Sequence, residues 1–139
     1  MFTDWQRGLL DECRVAHLGT IAPGGEPHLV PVCFAFFGER FVIAIDEKPK
    51  RGGRLARVAN IGRDPRVTLL VDRYAEDWER LAWVRIHGRA AVLQIGAEEP
   101  GALAALRERY PRYRGMSLES RPLIVISPDR IVSWRWTDG

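Results

Sequence analysis

Apolar and polar positions along the chain change period several times, and each change marks an element. Thr3 stands three residues before Gln6, the spacing of a capping box. Trp5, Leu9, Leu10 and Cys13 follow on one helical face, which predicts a helix over Asp4–Cys13. From Val15 the period becomes two, with Val15, His17, Gly19 and Ile21 on one side and Ala16, Leu18, Thr20 and Ala22 on the other. Pro23-Gly24-Gly25-Glu26 is a turn signal. Pro27–Phe37 and Arg40–Asp46 read as the next two strands, separated by Gly38-Glu39, so the first three strands are expected to form an antiparallel meander.

Polar, Gly/Pro-rich sequence follows from Asp46 to Arg54 and leads into a short helix in which Leu55, Val58, Ala59 and Ile61 point inward. Asp64-Pro65 ends it, because a residue before proline disfavours helical backbone. Arg66–Asp72 is a β-branched strand, Tyr74–Arg80 a loop, and Leu81–Gln94 one long strand bent at Gly88. Pro100–Tyr110 reads as a helix and Arg112–Arg121 as an irregular connection. Leu123–Ile126 and Ile131–Trp136 read as a final hairpin around Ser127-Pro128-Asp129-Arg130. The order α-β-β-β-α-β-β-α-β-β is mostly β with short flanking helices (α+β), and its short turns favour an antiparallel sheet closed into a barrel.

The 139 residues fit one domain, 1–139, and no repeat or linker divides them. Apolar residues make up 46% and charged residues 28%, as in an ordinary globular protein. The long apolar run, Leu29 to Phe37, is broken by Pro31 and falls short of a membrane span. Met1–Gly8 lacks the pattern of a signal peptide, so a cytoplasmic location is expected. Cys13 and Cys33 form no CxxC or Cys/His cluster, so no metal site is expected.

The net charge of +3 admits anionic partners without choosing among them. The densest chemical signal is Lys48-Pro49-Lys50-Arg51-Gly52-Gly53-Arg54, with four cations in seven residues just before a helix. Glycine lets backbone approach a ligand closely, and a helix N-terminus supplies unpaired N–H donors, so this stretch can cradle a phosphate. It also reads as a solvated basic loop. The positive charges form no sustained stripe, which argues against nucleic acid.

Aromatic residues give a second signal. There are five tryptophans, and planar side chains can stack on a planar ring. Any one of them reads first as packing, but Trp78 lies among Glu76, Asp77, Glu79 and Arg80, where an aromatic meets a ligand or a partner chain. His17, His28 and His87 are isolated, and none sits at an evident haem-ligating position. Ser117 and Ser120 lack a GxSxG turn, and neither GxGxxG nor a P-loop occurs. No catalytic residue is named. A chain without a hydrolytic constellation fits one that holds a cofactor which does the chemistry.

Several stretches carry a resemblance: Arg14-Val15-Ala16-His17-Leu18-Gly19-Thr20-Ile21, Gly25-Glu26-Pro27-His28-Leu29-Val30-Pro31-Val32, Lys48-Pro49-Lys50-Arg51, Asn60-Ile61-Gly62-Arg63-Asp64-Pro65-Arg66-Val67, and Asp77-Trp78-Glu79-Arg80-Leu81-Ala82-Trp83-Val84-Arg85. Over nearly the whole chain these resemble the pyridoxamine 5'-phosphate oxidase-like split-barrel superfamily, and within it the branch of F420-dependent enzymes. The resemblance implies a split β-barrel homodimer with cofactor sites between subunits, and an oxidoreductase passing a hydride from reduced coenzyme F420 to a small organic substrate. FMN is the alternative cofactor, and a non-catalytic flavin or F420 carrier the alternative role.

Carried over residue by residue, the resemblance implies that Lys50 meets the phosphate with Lys48, Arg51 and Arg54 as helpers. Pro31 and Val32 would line the ring, with Ile45 and Asp46 ending the third strand beside it. Trp78 and Trp83 would reach the site of the neighbouring subunit. Gly52-Gly53 lengthens the loop relative to many relatives, which leaves open which cation meets the phosphate. Four cations suit the longer anionic tail of F420 better than the single phosphate of FMN.

Overall fold

The computed structural model describes residues 1–45 and 55–137. Helix α1 (Asp4–Glu12) starts as its capping box dictates: Thr3 Oγ1 accepts the Gln6 N–H at 3.4 Å, and Gln6 Oε1 accepts the Thr3 N–H at 2.9 Å. Its apolar side buries Leu9 and Leu10. Strands β1 (Ala16–Ile21) and β2 (Pro27–Val32) form the first hairpin, Ala16 opposite Val32 and Ile21 opposite Pro27.

The expected strand Pro27–Phe37 is two strands, with β3 (Ala35–Phe37) separate from β2. The cause lies at Phe34, whose N–H donates 3.0 Å to the Tyr110 phenol and is lost to any ladder. The chain then crosses the molecule. β3 pairs not with β2 but with β4 (Arg40–Ala44), through a two-residue loop in which Gly38 and Glu39 have φ of 61° and 62°. The expected three-strand meander is therefore two hairpins at opposite ends of one sheet.

Helix α2 (Ala56–Arg63) ends at Asp64, before Pro65. Asn60, buried on α2, donates 3.0 Å to Thr20 Oγ1 and ties the helix to β1. Strands β5 (Arg66–Arg73) and β6 (Ala82–Leu93) alternate buried and open positions as their sequences require. Helix α3 (Pro100–Arg109) precedes β7 (Leu123–Arg135). The expected final hairpin is absent: β7 is one strand, paired along its length with β6. Ser127-Pro128-Asp129-Arg130 makes a bulge rather than a turn. His87 faces Arg130 and Gly88 faces Pro128, leaving Asp129 as the extra residue. A bulge is where an interior strand tolerates a residue without an N–H.

The seven strands run in the order β2-β1-β5-β6-β7-β4-β3, every neighbouring pair antiparallel. The ladder is open, with β2 and β3 at its ends, so the expected closed barrel is not a continuous hydrogen-bonded ring. The ends nevertheless share a core: Val32 and Phe34 from one end pack in the same cluster as Phe41 and Ile43 from the other, with Leu18, Leu69, Ile86 and Ile124 between them. A second cluster lies behind β4 and β7, where Val42, Ala44, Leu123 and Val125 meet Leu103 and Leu106 of α3.

Candidate functional site

Where the two ends of the sheet converge, the side chains leave a cleft of about 170 Å³ lined by Val15, Pro31, Val32, Cys33, Ile43, Ala44, Arg57 and Tyr113. β2 and the break after it supply Pro31, Val32 and Cys33. Ile43 and Ala44 come from β4, Arg57 from the first turn of α2, and Tyr113 from the short helical turn Pro111–Gly115. The walls are apolar, with one guanidinium and one phenol. Such a composition suits a flat, weakly polar ring bearing an anionic substituent.

The structure brings together two of the residues the sequence singled out, Pro31 and Val32. Val32 is buried opposite Ala16, whereas Pro31 is exposed opposite His17. Ile45 follows β4 directly and is buried in the first core, its N–H donating 3.3 Å to the Pro122 carbonyl. Asp46, Lys48, Lys50, Arg51 and Arg54 lie outside the described residues. The chain positions bracketing them, Ala44 and Arg57, both line the cleft.

Trp78 and Trp83 do not line the cleft of their own chain. Trp78 opens a helical turn, Trp78–Arg80, capped by the Asp77 carboxylate accepting the Glu79 N–H at 3.1 Å, and is 62% exposed. Trp83 lies on β6 between Asp72 and Trp134, with the Arg85 guanidinium 5.2 Å over its ring. Sequence reasoning passed over Arg57, Cys33 and Tyr113. Arg57 was detectable as the next cation, three residues beyond Arg54. Tyr113 was not, because only the fold carries it to β2.

Trp83 belongs to an open sheet face that no helix covers among the described residues. One row across it reads Pro31, His17, Leu70, Arg85, Val132, and the next Leu29, Gly19, Thr68, His87, Arg130. Leu29 is 71% exposed at its edge. A groove of about 570 Å³ runs along the second row. From the first row Arg85 Nε donates 3.0 Å to His87 Nε2, so the imidazole is neutral, with its Nδ1–H 3.3 Å from Thr68 Oγ1. Burial first, then Arg130 and Arg85, hold His87 below its ordinary pKa.

Cys13 lacks the setting of a nucleophile. Burial chiefly pushes the Cys13 thiol up, and its Sγ lies 3.3 Å from the Asp72 carbonyl. Among the described residues no three His, Cys, Asp or Glu side chains gather as metal ligands, and no helix is long and apolar enough to cross a membrane.

Known proteins agree with this architecture. The 5a,11a-dehydrotetracycline/5a,11a-dehydrooxytetracycline reductase of Streptomyces rimosus subsp. rimosus is 35% identical over 118 residues, covering 84% of this chain and 71% of that protein. A conserved hypothetical protein of Mycobacterium tuberculosis superposes with a TM-score of 0.73 at 24% identity, over 97% of this chain and 86% of its own. A heme storage protein from Vibrio cholerae superposes equally well, with a TM-score of 0.73 at 16% identity, over 93% and 90%. These two likenesses bear on the fold alone. The family model described as pyridoxamine 5'-phosphate oxidase matches residues 2–135, and this chain belongs to that family.

Proposed function

We propose that the chain is an oxidoreductase that binds coenzyme F420, or failing that FMN, in the cleft at Pro31–Val32, as a homodimer whose second copy completes the site. The observation that carries this reading is the cleft itself. It is apolar, it holds Arg57, and the cation-rich interval 46–54 joins two of its walls, Ala44 and Arg57.

At about 170 Å³, one chain encloses less than the roughly 300 Å³ or more of an ordinary cofactor pocket. A second copy seated on the open sheet face would supply the rest, since Pro31 belongs both to the cleft and to that face. Trp78 and Trp83, which do not line their own cleft, are then available to the partner's. That pairing of two curved sheets is the split-barrel dimer the sequence resemblance implies.

Within this reading Val15, Pro31, Val32, Ile43 and Ala44 exclude water and fix the plane of the ring. Arg57, with Lys50 first among the loop cations, holds the phosphate. The chemistry supplied there would be hydride delivery from a reduced ring to an electron-poor double bond, the matching proton coming from solvent. Reductase activity in a relative at 35% identity supports turnover over simple cofactor carriage.

The test is a fluorescence titration of the purified protein with F420 and, separately, with FMN. Saturable F420 binding that weakens in Lys50→Ala, with an unchanged melting temperature, is the expected result, because removing one cation from so basic a stretch changes stability little. Tight binding of FMN alone moves the protein to flavin chemistry. Binding without substrate-dependent oxidation of the reduced cofactor makes it a carrier. Binding of neither refutes the proposal.

A further inference from the structure

We propose that Tyr110 is the positioning residue of this cleft, a phenol bolt from the end of α3 that holds the β2–β3 break in the one arrangement that forms the ring site. The inference rests on the cofactor reading above and deepens it.

Tyr110 follows α3 directly and is 9% exposed. A phenol oxygen has two acceptor sites and one proton, and here all three are used. It accepts the Phe34 N–H at 3.0 Å and the Arg109 Nε–H at 3.1 Å. Its own proton goes to the carbonyl of Arg14 at 2.9 Å or of Phe34 at 3.0 Å. The oxygen therefore fastens two chain points, just before β1 and just after β2, that lie 96 and 76 residues away in sequence.

Phe34 sits where the chain leaves one end of the sheet for the other, and its N–H has no ladder partner to fall back on. Its neighbour Cys33 lines the cleft beside Pro31 and Val32, and Val15, next to Arg14, lines it too. The Tyr110 ring also stands 5.6 Å from that of Tyr113, which closes the cleft. Three wall residues thus depend on this one side chain.

The bolt is itself braced. Arg109 stacks over Phe34 at 4.7 Å and over Tyr110 at 5.5 Å. Its guanidinium donates to the carbonyls of Leu10 at 2.8 Å, Asp11 at 3.3 Å and Cys13, capping the C-terminus of α1. Arg14 packs on the other side, 5.1 Å from the ring, and donates to the Arg109 carbonyl. Tyr110 touches no part of the cleft volume, so it acts through Cys33, Val15 and Tyr113 rather than on the ligand.

The test compares the wild type, Tyr110→Phe and Val71→Ala, the last trimming a fully buried β5 side chain that does not line the cleft, to match the thermal loss. Cofactor affinity, the absorption spectrum of the bound cofactor and amide exchange at Val32–Ala35 are read for each. Expected for Tyr110→Phe are a dissociation constant raised about five- to tenfold, the worth of one net hydrogen bond, a bound spectrum shifted toward that of free cofactor, and faster exchange at Phe34. Val71→Ala should keep wild-type affinity and spectrum.

Wild-type affinity and spectrum in Tyr110→Phe overturn the assignment, as does an equal loss of affinity in Val71→Ala, which would make the effect general destabilisation. Failure of the wild type to bind F420 or FMN instead overturns the cofactor reading on which the assignment rests.

Discussion

Replacing Gly88 with alanine places a methyl group where the bulge brings β7 backbone closest to β6. A Cβ built there lies 2.4 Å from the Ser127 carbonyl oxygen and 3.1 Å from its carbon. A normal approach needs about another 1 Å, and the obstacle is backbone in the interior of the sheet, so no side-chain rotation relieves it. β6 and β7 must part or the bulge must move, which costs about 1–3 kcal/mol as overpacking does elsewhere. For a chain of this length each kcal/mol is about 3–5 °C of melting temperature. Gly88→Ala should therefore melt about 3–15 °C below the wild type, with a lower urea midpoint and an unchanged slope. Gly8→Ala is the internal control. Gly8 lies within α1 with nothing within 4 Å of a built Cβ, so alanine should stabilise by about 0.5–1 kcal/mol through helix propensity. A Gly88→Ala protein that melts with the wild type, or the same sign of change in both variants, would refute the reading of the bulge as a close approach.

On the open sheet face, Leu29→Arg should leave the melting of the separate chain nearly unchanged but weaken the proposed dimer about 30-fold or more, the cost of a 2 kcal/mol hot spot. Light scattering checks it, and a dimer unaffected by the change would move the interface elsewhere. Melting temperature should also fall with acid in two stages. His87, held low by burial, Arg130 and Arg85, binds fewer protons in the folded chain than in the unfolded, so its contribution is present above pH 6.5 and lost as the pH falls through its lowered value. Hydrogen bonds from Arg66 and Arg107 hold Asp64 and Glu119 to about 2, and their contribution, present above the ordinary 3.8 and 4.5, is lost as the pH falls through about 2. Arg107→Gln should flatten the second stage in a melting series from pH 5 to pH 2, and an unchanged profile would count against that ion pair.

Local chemistry made much of this protein legible in its sequence. The Thr3–Gln6 box, the period-two runs of β1, β5 and β6 and the Asp64-Pro65 stop each depend on residues a few positions apart. The family likeness and the cleft-lining Pro31 and Val32 were legible for the same reason: they are carried by contiguous stretches. Tertiary structure decided what depended on distant partners. Phe34 breaks an otherwise continuous apolar run only because Tyr110, 76 residues away, takes its N–H. Pro128 and Asp129 look like a turn alone and become a bulge because β6 is long enough to pair on both sides of them. Arg57 and Tyr113 enter the cleft because α2 and the segment after α3 pack where the two ends of the sheet meet. Period and capping are properties of neighbours along the chain, whereas a cleft is a property of neighbours in space, and only burial of the shared core brings those together.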